Sequence, residues 1–190
     1  MPRIACVSRI DEFGDPAPDI AVFPEYTSEA GVMLAARLYP DTVIVAAIRQ
    51  GRFNRGFLLH RGRNLVNYRK ADSDGTTDGA GIPAEIPFAQ IGDFAVAMLI
   101  CKDVDVSDFL NATVARLRAA NALYKVLCIP AYMGSWWFQG MDNPLPQFAG
   151  VTTALCNHPD REGRARSFIR DSGWRPLALQ ADREPIVATV

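Results

Sequence analysis

Three short apolar runs, each ending in one reactive side chain, limit what this chain can fold into. They are Ile20-Ala21-Val22-Phe23-Pro24-Glu25, Asn64-Leu65-Val66-Asn67-Tyr68-Arg69-Lys70 and Phe94-Ala95-Val96-Ala97-Met98-Leu99-Ile100-Cys101. Runs of this length, bounded by turn residues, read as strands, and they alternate with helical segments, which predicts an α/β fold. Open α/β sheets build their sites at the carboxyl ends of strands. The pattern therefore puts a carboxylate, an ammonium and a thiol where sites are made.

Composition narrows the class. The 190 residues are read as one domain over 1–190, with 49% hydrophobic and 22% charged residues, ordinary for a globular chain with a full core. A net charge of −1 gives no electrostatic footprint for nucleic acid or an acidic membrane surface. No apolar stretch approaches the roughly 18 residues that span a bilayer. The first residues, Met1 to Val7, lack the apolar core of a secretory signal and read as a first strand. Cys6, Cys101, Cys128 and Cys156 are widely spaced, without a C-x-x-C pair, which argues against zinc and against a disulfide scaffold. A reducing cytoplasm fits best.

The remaining elements follow from local signals. Ser28 to Leu38 is expected to be a helix, capped by Ser28 or Thr27 and ended by Pro40. Thr42 to Arg49 reads as a buried strand, and Arg55 to His60 with Asn64 to Arg69 as a hairpin turning at Gly62. Ala71 to Pro83 reads as a flexible surface loop. Glu85 to Phe88 and Phe94 to Cys101 are expected to pair. A helix is expected over about Ser107 to Tyr124, followed by a strand at Val126 to Pro130 and further strands at Gly150 to Cys156, Ser167 to Asp171 and Pro185 to Val190. Gly134 to Phe148, with two tryptophans and two prolines, gives no regular signal.

Hydrolysis of an unactivated amide needs a nucleophile, a base and a stabiliser for the oxyanion. Cys101, between a strand and a helix, is the nucleophile candidate, and the backbone N–H of Lys102 is the oxyanion donor that such a turn offers. Pro24 stops the preceding strand, so Glu25 projects from its end as a base. Lys70 supplies a fixed positive charge. The scheme needs no cofactor, no metal and neither histidine, His60 nor His158. Asp103 is expected to hydrogen-bond the turn behind Cys101 rather than to pair with Asp105 around a metal. Arg161, Arg164, Arg166 and Arg170 read as a solvated basic face, with an anionic-substrate clamp as the alternative.

The order Glu, Lys, Cys and the segments FPE, YRK and LICKD resemble the motifs of the nitrilase, or carbon–nitrogen hydrolase, superfamily over nearly the whole chain. The resemblance implies a four-layer α-β-β-α sandwich with mixed sheets, here trimmed of some outer helices. It carries the base role to Glu25, the oxyanion role to Lys70 and the nucleophile role to Cys101. It implies a small amide or nitrile as substrate, an amide being preferred, and a homodimer or larger homo-oligomer. Many members carry a second active-site glutamate between the lysine and the cysteine. In that interval the only glutamate is Glu85, and Asp78 stands in the loop as a substitute. Tyr132 and Trp136 are candidates for the substrate pocket, Trp136 alternatively covering a sheet face. The first strand runs almost directly into the Glu25 strand, with no intervening helix, so a sheet face is expected to be exposed unless a partner chain or a different packing covers it. Two rivals to hydrolysis stay open: a degenerate binding or assembly module, and acyl transfer to an amine.

Overall fold

A computed structural model describes residues 1–73, 77–133, 146–158, 166–180 and 184–190. Two six-stranded mixed sheets face each other. The first has the order β12-β1-β2-β3-β4-β5, from β1 (Arg3–Cys6), β2 (Ile20–Glu25), β3 (Val43–Gln50), β4 (Phe53–His60), β5 (Arg63–Arg69) and β12 (Ile186–Thr189). The second has the order β11-β10-β9-β8-β7-β6, from β6 (Phe88–Ile91), β7 (Phe94–Met98), β8 (Tyr124–Ala131), β9 (Thr152–Asn157), β10 (Phe168–Arg170) and β11 (Pro176–Leu179). Helix α1 (Glu29–Leu38) packs on the outside of the first sheet and α2 (Ser107–Ala119) on the outside of the second. This is the nitrilase-like α-β-β-α sandwich. Among the described residues no helix is long and apolar enough to cross a membrane.

The period of two in each strand assigns side chains to layers. Ile4 and Cys6 of β1, Ile20 and Val22 of β2, and Val43, Val45 and Ala47 of β3 join the core shared with the second sheet. Their neighbours Ala5, Val7, Ala21, Phe23, Ile44, Ala46 and Ile48 turn the other way and pack under α1. Both faces are covered, so these strands read as continuous apolar runs.

The missing helix between β1 and β2 does not leave the sheet bare. A 3₁₀ turn at Ile10–Glu12 lays Phe13 on the sheet, where its ring lies 6.0 Å from Phe23 and 4.6 Å from Tyr39. Exposed apolar side chains lie on the outer side of α1, at Met33, Leu34 and Leu38, and on the edge strands β11 and β12, at Leu177, Leu179 and Val187.

Other boundaries shifted. The helix expected to reach Tyr124 ends at Ala119, because Tyr124 opens β8, pairs with Phe94 and packs its ring at 5.4 Å against that residue's. The strand expected over Glu85 to Phe88 begins only at Phe88 and pairs with β7 in antiparallel register. Strand β11 pairs antiparallel with β10 across the turn at Asp171–Trp174, forming a hairpin there. Arg170, expected on a solvated face, is buried: Nη1 donates to the Trp174 carbonyl at 3.0 Å, and the guanidinium lies over the Phe168 and Trp174 rings. Trp136, Arg161 and Arg164 lie outside the described residues.

Candidate active site

The three residues singled out in the sequence meet between the sheets, and each arrives by a different local device. For Glu25 the device is a β-bulge. Val22 pairs with Val45 but Glu25 with Ala47, so three steps along β2 match two along β3. The extra residue falls at Phe23-Pro24, where proline cannot donate to the ladder. Ala47 belongs to the inter-sheet face. Without the bulge, Glu25 would point toward α1; with it, the carboxylate is fully buried inside the sandwich.

Lys70 needs no such device. Val66, Tyr68 and Lys70 alternate with exposed Asn67 and Arg69, and all three face inward. Its backbone N–H donates to the Asn54 carbonyl at 2.8 Å, continuing the β4–β5 pairing one residue past the strand. The ammonium Nζ donates to Glu25 Oε1 at 2.9 Å in a pair with no solvent exposure on either side chain. Asn54, buried beside it, donates Nδ2 to the same Glu25 oxygen. Removing two such charges from water is costly, and only close pairing with added hydrogen bonds offsets it.

Cys101 ends the β7 run in a left-handed conformation, φ +51°, and opens a 3₁₀ turn over Cys101–Asp105. A side chain with a Cβ rarely adopts that conformation, and such strain persists where the surrounding structure fixes it. The thiol is 3% exposed and donates to the Tyr132 carbonyl, with Sγ 3.7 Å from the oxygen. Burial first, and then the Glu25 charge, push its pKa up to about 12, against the opposing pull of Lys70. Cys101 is therefore a neutral thiol at physiological pH, beside a carboxylate able to take its proton. The amide of Lys102 follows directly in the turn.

Asp103 ties two of these pieces together. Its Oδ1 accepts from the backbone N–H groups of Ala71 and Asp72, at 2.9 and 3.0 Å. Its Oδ2 accepts from the Tyr68 hydroxyl at 2.9 Å and the Ile100 N–H at 3.3 Å. One carboxylate thus fastens the Lys70 segment to the Cys101 turn, and burial raises its pKa to about 6 even with these donors. Gly56 makes room for the Tyr68 ring, since a Cβ there would stand 2.8 Å from Tyr68 Cε1 and 2.7 Å from Met98 Cε. The loop after Lys70 is bonded back as well, Ala80 N–H to the Lys70 carbonyl and Gly81 N–H to that of Ala71. Asp103→Asn keeps one acceptor oxygen and turns an NH₂ toward buried donors. It should cost about 3 kcal/mol or more, read as a lowered urea midpoint at unchanged slope.

The far wall is Tyr132, whose side chain is exposed although its carbonyl meets Cys101. Asn157, at the end of β9, holds this segment: its Oδ1 accepts from Met133 N–H at 2.8 Å and its Nδ2 donates to the Met133 carbonyl at 3.0 Å. Tyr26, which follows Glu25, sets its ring edge-on to Tyr132 at 5.3 Å, and His158 packs on the same ring at 5.6 Å. The candidates for a second carboxylate lie elsewhere. Asp78 forms a surface ion pair with Arg52 at 2.9 Å, and Glu85 is exposed.

Solved structures with the same two-sheet sandwich match this chain. A variant of the amidase from Nesterenkonia sp. AN1, carrying an acrylamide adduct at its active-site cysteine, matches with a TM-score of 0.77 at 18% identity, covering 100% of this chain and 93% of that one. The amidase from the same source after tag removal matches with a TM-score of 0.74 at 20% identity, over 100% and 93%. A cysteine-to-alanine variant in complex with butyramide matches with a TM-score of 0.73 at 19% identity, over 98% and 88%. At this identity the likeness establishes the fold. No protein-family model and no curated protein sequence matches the chain.

Proposed function

We propose that this chain is an amidase-type carbon–nitrogen hydrolase of the nitrilase superfamily, acting in the cytoplasm through a thioester on Cys101. The observation that carries the reading is the convergence of a neutral thiol, a buried carboxylate and its ammonium at one point between the sheets.

Glu25 takes the Cys101 proton as Sγ bonds to the amide carbon, so the thiolate forms only when substrate is attacked. The electron pair displaced onto the carbonyl oxygen is met by the Lys70 ammonium and the Lys102 N–H. As the tetrahedral intermediate collapses, the C–N bond breaks and Glu25 returns the proton to the leaving nitrogen. Water then attacks the thioester with Glu25 again as base, releasing the carboxylic acid and restoring the thiol. Asn54 holds the Glu25 oxygen in place, while Asp103 keeps the lysine segment and the nucleophile turn in register.

A panel of primary amides and nitriles, assayed for ammonia, tests the reading. Wild type should release ammonia from amides, and acid-quenched samples should show an acyl mass on the Cys101 peptide. Ammonia release that persists in folded Cys101→Ala would overturn it.

A further inference from the structure

Helices α1 and α2 cover opposite sides of the sandwich, yet their outward faces differ. Helix α2 buries Phe109, Leu110, Val114 and Leu117, and every exposed position on it is small or polar. Helix α1 buries Val32, Ala35 and Ala36 against the first sheet and still exposes Met33, Leu34 and Leu38, the first and last by more than half. A helix that is apolar on both sides is one that is covered on both.

The outward residues of α1 form two rows at four-residue spacing, Glu29-Met33-Arg37 and Ala30-Leu34-Leu38, and all six are exposed. Such rows stand up as ridges, and helices pack by setting the ridges of one into the grooves of the other. Grooves flank the ridges here. One, of about 630 Å³, separates Leu34 and Leu38 from the 3₁₀ turn at Ile10–Glu12. The other, of about 590 Å³, lies between Met33, Leu34 and the turn at Gly62.

Charge selects the occupant. Glu29 stands in the first turn of α1 and Arg37 in the last, each four residues from Met33. Neither forms an ion pair among the described residues. The row is therefore complementary to itself reversed. A second copy laid antiparallel brings each Glu29 to the other copy's Arg37, sets the helix dipoles in opposition and places Met33 against Met33 on the two-fold axis. A parallel copy would oppose like charges.

We propose that the outward face of α1 is an isologous interface at which two copies of this chain pack antiparallel, ridge into groove. The interface involves none of Glu25, Lys70 or Cys101, so it stands or falls apart from the amidase reading.

Sedimentation equilibrium over a range of concentrations tests it. Wild type should associate reversibly to twice the chain mass of 20.8 kDa. Leu34→Lys should weaken association by on the order of a hundredfold, because a two-fold interface loses two buried leucines at once. Leu179→Lys, on the exposed edge strand β11, should leave it as in wild type. Glu29→Lys and Arg37→Glu should each weaken it by about tenfold, and the double variant, which restores both pairs with their signs exchanged, should recover most of the loss. Urea midpoints like that of wild type show that each variant is folded. A chain that stays monomeric overturns the proposal. So does a dimer that survives Leu34→Lys or dissolves in Leu179→Lys. A double variant that associates no better than the single ones overturns the antiparallel pairing.

Discussion

Replacing Glu25 with glutamine should stop turnover and, at the same time, make Cys101 easier to alkylate. The two effects have opposite signs because the carboxylate acts on the thiol in two ways. As a base it accepts the thiol proton during attack, and losing a positioned acid–base group costs typically about 10²–10⁴-fold. As a buried negative charge beside the sulfur it opposes the free thiolate, and with burial it holds the pKa at about 12. At pH 8 the thiolate fraction is then on the order of one in ten thousand. In Glu25→Gln the opposing charge is gone while Lys70, which favours the thiolate, remains. The pH profile of iodoacetamide labelling should move to lower pH. The rate at pH 8 should rise about threefold per unit of pKa lost, the gain in thiolate being partly offset by its weaker nucleophilicity. Cys6 and Cys128, buried and with pKa raised by desolvation, give the unreactive baseline in the same digest. Slower labelling of Cys101 in Glu25→Gln, or turnover retained within tenfold, would remove Glu25 from the proposed role.

How much of this site was legible depended on whether the side-chain period survived to the strand end. In β5 it did: Val66, Tyr68 and Lys70 alternate with Asn67 and Arg69, and all three are buried. In β2 it did not. Counting by twos from Ile20 puts Glu25 on the α1 side, and only the bulge at Phe23-Pro24 turns it inward. Pro24 signalled an interruption of the ladder, which was read as the end of the strand. Asn54 was missed because a lone asparagine in a hairpin strand carries no local signal. What could have found it is parity, since Asn54, Gly56 and Leu58 are the buried face of β4. Asn157 acts on Met133, 24 residues away beside its neighbouring strand β8, and Tyr26 acts on Tyr132 beyond its own sheet, and no local pattern encodes such pairings. Of the two ways to cover the face left by the missing helix, a partner chain or a different packing, the structure shows the second there: one aromatic residue, Phe13, fills the space from a loop.

Lys70→Met should destabilise the fold by about 3–5 kcal/mol, the usual cost of removing one partner from a buried ion pair. Methionine matches the lysine stem in length and shape, so little packing is lost. What changes is that the Glu25 carboxylate, fully buried, no longer faces an ammonium 2.9 Å away. Urea unfolding followed by circular dichroism should show a lower midpoint at unchanged slope. The double variant Lys70→Met/Glu25→Gln should recover part of the loss, because it removes the uncompensated charge and leaves an amide within reach of Asn54. That recovery separates electrostatics from packing, since a packing defect at position 70 would persist in the double variant. Labelling gives a second, independent readout. Lys70 is the charge that lowers the Cys101 pKa, so Lys70→Met should slow alkylation of Cys101 where Glu25→Gln accelerates it. Shifts in the same direction would mean that the two side chains do not act on the thiol as an ion pair of opposite sign, and the proposed division into base and oxyanion stabiliser would fail.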